Sequence, residues 1–127
     1  VPHLLLLRFD APLAFANAAF FEDQLGESID EYPGGVHRVV VAAEPISDID
    51  STGAEMLEIL LDDLDARGIE LAFAELKGPV KDRLRSYGLY DRIGDDFFYP
   101  TLGAAVMSYA DETGVPPRDV GGGAEEP

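Results

Sequence analysis

Val36-His37-Arg38-Val39-Val40-Val41-Ala42-Ala43 is the stretch that decides the fold. Three successive valines are β-branched and leave no polar face, the pattern of a central strand covered on both sides. After a loop from Glu44 to Asp50, apolar residues at Ala54, Leu57, Leu61 and Leu64 mark a helix. Gly68 supplies a residue suited to the end of that helix, and Ile69 to Glu75 reads as another buried strand. Strand, amphipathic helix, strand is the unit from which parallel sheets are built.

Working outward, Leu4 to Phe9 is an apolar run stopped by Asp10-Ala11-Pro12, and Leu13 to Ala16 is short enough to be a returning strand. An opening hairpin is therefore expected. Asn17 is placed to cap a helix carrying Phe21, Leu25 and Ile29 inward, which stops before Pro33-Gly34-Gly35. Towards the other end, Pro79 begins a short helix with Val80, Leu84 and Tyr87 on one face and Gly88 beyond it. Phe97 to Tyr99 reads as an edge strand, and Pro100 opens a last helix with Leu102, Ala105, Val106 and Tyr109 inward. The expected architecture is α/β: a mixed, mostly parallel sheet with an N-terminal hairpin and four packed helices over residues 1–112. Residues 113–127, rich in glycine, proline and acid, are expected to be a disordered tail.

The chain has 127 residues, enough for one domain with its own core. It has no cysteine, so neither a disulfide frame nor a thiolate site can form. The two histidines, His3 and His37, are read as strand residues rather than a metal pair. A formal charge of −16 opposes binding to nucleic acid and to anionic lipid. No apolar run approaches the roughly 20 residues that span a bilayer. Val1-Pro2 leads straight into a strand without an initiator methionine, as expected of a fragment of something longer.

Asp50, Ser51 and Thr52 stand where a loop becomes a helix, and oxygen acceptors there meet orphan amides and the positive end of the helix dipole. Any of the three could cap the helix, and Glu55 follows Thr52 at capping-box spacing. A hydroxyl at such a terminus also suits phosphorylation, because the dipole tolerates a phosphate. Asp50-Ser51-Thr52-Gly53, after a valine-rich strand, resembles the Asp-Ser-Ser/Thr-Gly motif of STAS domains, found in sulfate transporters and anti-sigma factor antagonists. Arg8-Phe9-Asp10-Ala11-Pro12-Leu13-Ala14-Phe15-Ala16-Asn17 and Glu75-Leu76-Lys77-Gly78-Pro79-Val80 resemble the SulP permease branch. The likeness runs to about residue 110.

That resemblance implies a cytoplasmic regulatory domain of a SulP-type sulfate or related anion transporter, with transport carried out by a membrane part. The soluble antagonist is the alternative. It implies a regulatory loop at Asp48, Asp50, Ser51, Thr52 and Gly53, with Thr52 as the phosphorylatable hydroxyl and a weak site for guanine or adenine nucleotide. Implied partners are the transporter's own membrane domain, a second copy of the chain and acyl carrier protein. Lys77, Lys81, Arg83 and Arg85 form a basic cluster on an acidic chain, read either as a solvated helix face or as a docking surface for phosphate or an acidic protein. No Gly-x-x-x-x-Gly-Lys-Ser/Thr loop, nucleophile elbow, zinc spacing or dinucleotide fingerprint is present, so no enzyme activity is expected. Asp10 with Asp48 or Asp50 could suggest a phospho-receiver pocket, but the adjacent acids and the late lysine of that class are missing.

Overall fold

The valine run is the middle of a four-stranded sheet. The computed structural model describes residues 1–14 and 16–114. Its strands are β1 (Leu4–Arg8), β2 (Arg38–Ala42), β3 (Glu70–Ala74) and β4 (Phe98–Tyr99), ordered β1-β2-β3-β4 and paired in parallel throughout. The helices are α1 (Ala18–Glu31), α2 (Ser51–Ala66), α3 (Gly78–Ser86), α4 (Leu89–Ile93) and α5 (Leu102–Thr113). Alternation along β2 divides the core. Val39 and Val41 pack with Phe21, Leu25, Leu57 and Leu84 from the crossover helices, whereas Val40 packs with Ala72, Ala74, Ala105 and Tyr109 on the α5 side. Among the described residues no helix is long and apolar enough to cross a membrane.

The structure corrects several details of the sequence reading. Among the described residues the expected hairpin does not form. β1 is paired along its whole length with β2, and Leu13 makes a single parallel bridge to Ile49 in the loop beyond β2. Leu13 N–H donates to the Asp48 carbonyl and its own carbonyl accepts from Asp50 N–H, so its backbone groups are already satisfied there. Among the described residues the α-helices number five rather than four, because left-handed Gly88 divides the expected third helix from the extra turn of α4. Tyr87 is the C-cap residue of α3 and 37% exposed rather than inward, and Leu102 is half-buried. Asn17 precedes α1 without capping it by its side chain; its amide donates to the Pro12 carbonyl. Thr101 rather than Pro100 starts α5, its hydroxyl accepting from Ala104 N–H. The helix runs to Thr113, and residues 115–127 of the expected tail lie outside the described residues.

Gly26 lies inside α1 with nothing within 4 Å of where a Cβ would be. A glycine there costs about 0.5–1 kcal/mol relative to alanine, and no contact among the described residues requires it. Gly26→Ala should therefore raise unfolding free energy by about 0.5–1 kcal/mol, measured by urea denaturation.

Arg38, 2% exposed, is the charged residue within the core. Its guanidinium is bonded to Glu70 of β3 and Glu112 of α5 and stands 5.0 Å from the ring centroids of both Phe97 and Tyr109. Burial alone would lower its pKa, but the hydrogen bonds to Glu112 and Glu70 outweigh it and raise the value. The hydrogen bond from Arg38 correspondingly holds the Glu112 carboxyl below its ordinary value of 4.5. Both acids are half-exposed, so loss of Arg38 would remove packing and the α5 tether without stranding a buried carboxylate. Arg38→Ala should lower stability by about 2–3 kcal/mol and Glu112→Gln by less than about 1 kcal/mol. Since the folded Glu112 pKa is depressed, its contribution is present above the unfolded value and lost as pH falls through the folded one. Acid titration should consequently narrow the gap between the unmodified chain and Glu112→Gln.

Candidate functional site

The loop between β2 and α2 is anchored by Ile46 and Ile49, both fully buried, which leaves its acids at the surface. Asp50 has an extended backbone, and its Oδ1 accepts from Gly53 N–H at 2.8 Å. Of the three candidate caps, Asp50 is therefore the one in use. Ser51 and Thr52 are the first two residues of α2, so Thr52 and Glu55 do not form the expected capping box. The two hydroxyl residues open on different sides of the helix. Exposed Ser51 lines a cleft of about 170 Å³ with Glu58, Tyr87 and Leu89, whereas half-buried Thr52 lines a groove of about 300 Å³ between α1 and α2.

Gly53 is held by a close approach. A Cβ on it would lie 1.8 Å from the Leu13 carbonyl oxygen and 2.6 Å from its carbon, both backbone atoms that cannot turn aside. Leu13 of the lead-in is thus wedged against the motif, and two backbone hydrogen bonds join it to the Asp48–Asp50 loop. This tie between two distant stretches was not foreseen in the sequence. Its only sequence signal is a glycine one turn into a helix, where alanine would be the better former.

Asp48 Oδ1 accepts from Ile49 N–H at 2.8 Å and from Arg83 Nε at 3.2 Å. The Arg83 hydrogen bond, with the Ile49 amide behind it, holds the Asp48 carboxyl below its ordinary value, and Asp48 in turn raises Arg83. Both side chains are half-exposed, so the pair orients more than it stabilises. Lys77 Nζ donates to the Glu44 carbonyl, and Arg85 pairs with Asp82 at 2.7 Å while lying over the Tyr90 ring. Lys81 has no ion-pair partner among the described residues. The cluster that looked like one basic patch therefore includes two side chains, Lys77 and Arg83, that clasp the motif loop. At the other end of the strands the rings of His3 and His37 stack at 4.2 Å, with the His3 ring donating to the Gly35 carbonyl. His3 has φ +70 and His37 precedes β2, so neither is a strand residue as expected.

The sequence matches the STAS domain over residues 1–105. This chain belongs to the STAS domain family. A probable sulfate transporter of Mycobacterium tuberculosis H37Rv is 38% identical to this STAS domain over 109 residues, 86% of this chain and 20% of the relative. The chain thus spans about a fifth of the length of that curated relative. The SulP transporter STAS domain from Vibrio cholerae superposes with a TM-score of 0.75 at 18% identity, covering 91% of this chain and 88% of that one. The inward-facing structure of the murine Solute Carrier 26 family member A9 anion transporter gives 0.76 at 17% identity, covering 88% of this chain and 18% of that one. A putative anti-sigma factor antagonist from Thermotoga maritima gives 0.67 at 21% identity, over 89% and 88%. At these identities the solved structures establish the STAS fold.

Gly53→Ala would force Leu13 and α2 apart and should cost more than about 2 kcal/mol. Asp50→Ala loses a cap worth about 1 kcal/mol. Denaturant unfolding of the two variants should separate them in that order.

Proposed function

We propose that this STAS domain is the cytoplasmic regulatory domain of a SulP-type sulfate or related anion transporter. A charge or partner at Ser51 to Ala54 alters how the domain packs on the membrane part or on a second copy. The observation that carries the reading is the wedge of Leu13 against Gly53, because it couples the motif to the lead-in segment that resembles the transporter branch. The 38% identity to a protein named as a probable sulfate transporter supports the same branch over the free antagonist.

A phosphate on Thr52 would gain from the helix dipole and be repelled by Asp48, Asp50 and Glu55. Those opposed forces act on a loop whose backbone is hydrogen-bonded to Leu13, so a shift in the loop population is passed to the lead-in. Asp50 already occupies the Gly53 amide, and the remaining acids oppose a free anion. The loop accordingly suits an added phosphate or a protein contact better than a free guanine or adenine nucleotide. In the full-length transporter, Thr52→Glu should change sulfate uptake by about fivefold relative to Thr52→Ala. Equal uptake by both variants and the unmodified protein would sink the mechanism.

A further inference from the structure

The groove between α1 and α2 has an apolar floor and an acidic rim. Ala18, Ala19, Met56 and Ile59 line it with Glu22 on one bank and Glu55 on the other. Ile59 is 62% exposed, an apolar side chain that this chain leaves in water. The setting is strongly one-sided, for α1 and α2 each carry five acids and no base. Spacing places Gly26 on the same face of α1 as Ala19 and Glu22, and the missing side chain there serves no contact among the described residues. Glycine at that point lets another backbone come close.

The far end of the same helix pair shows what fits. Arg67 is bonded to Asp30 of α1 at 3.4 Å and to Asp63 of α2 at 3.7 Å, a guanidinium shared across the seam. At the near end Glu22 and Glu55 have no basic partner among the described residues. We infer that the α1–α2 groove, with Ile59 and Gly26 along it and Glu22 and Glu55 on its rim, docks a cationic amphipathic helix of another polypeptide. The apolar face of that helix covers Ala19, Met56 and Ile59, and its lysine or arginine side chains reach back to the two rim acids as Arg67 does to Asp30 and Asp63. Met56 adapts its shape to the incoming side chains. A second copy of this chain, nucleic acid and anionic lipid are all repelled by the same acids. The inference stands on this surface alone and does not require the anion-transporter reading.

The test uses the 127-residue chain and two fluorescent model peptides that share a leucine face, one with lysine and arginine on its polar face and one with glutamate. Anisotropy at about 0.15 M salt, where long-range attraction is screened, should detect the basic peptide only. Gly26→Leu and Ile59→Ser should each weaken it about tenfold. Glu22→Gln with Glu55→Gln should weaken it similarly, whereas Asp91→Asn with Asp111→Asn, the same charge change elsewhere, should alter it less than about twofold. Circular dichroism confirms that each variant is folded, and Ile59→Ser, at an exposed position, serves if Gly26→Leu is not. Equal losses from the two neutralised pairs would mean non-specific attraction and overturn the proposal. So would absence of binding, binding of both peptides alike, or a dimer of the unmodified chain that the groove variants abolish in sedimentation.

Discussion

Leu13 and Gly53 meet backbone to backbone, and the geometry leaves no room for a side chain between them. Three pieces of chain are fixed by that approach: the crossing from β1, the loop that leaves β2 and the first turn of α2. The buried side chains of Leu13, Ile46 and Ile49 fill the space beneath it. The motif is thus less a free loop than a junction, held from below by the core, from one side by the lead-in and from the other by Arg83 on Asp48.

How much of this could be read in advance follows from which interactions are local. The valine run and the helical spacing of Leu57, Leu61 and Leu64 report burial directly, and the structure keeps both. The partner of Leu13 is not legible, because a short apolar segment after a turn looks the same whether it returns to its own strand or reaches a loop 36 positions on, at Ile49. Asp50, Ser51 and Thr52 were chemically equivalent as caps until the backbone chose among them. The basic residues around α3 are neighbours in sequence, but their oxygen partners at Glu44 and Asp48 come from another segment. Arg38 stood in plain sight at the head of an apolar run, yet its acids arrive from β3 and α5. The family was legible through motif resemblance rather than through physics, since a capped helix after a strand belongs to any α/β protein.

Charge is distributed with a sense of direction. The acidic outer surface of α1 and α2 faces away from the sheet, while Arg38, Arg67, Arg83, Arg85 and Arg92 are engaged in ion pairs within the chain. Arg38 holds α5 to the sheet, Arg67 joins α1 to α2, and Arg92 pairs with Asp62 and Asp65 to hold the α4 turn on α2. A chain of net −16 is therefore knit by a few arginines, and the unpaired acids that remain define its outward field.

The spatial order β1-β2-β3-β4 is also the order of the chain, so the sheet has a direction of growth. Each strand pairs with the edge left by the one before it in the chain, and none is threaded between two earlier ones. The pairing partners are separated by a single crossover each time, so no connection has to pass over a strand to reach its partner. Arg38 stands on the second strand of that series and Glu112 on the final helix, so their pairing latches the end of the chain back onto its middle.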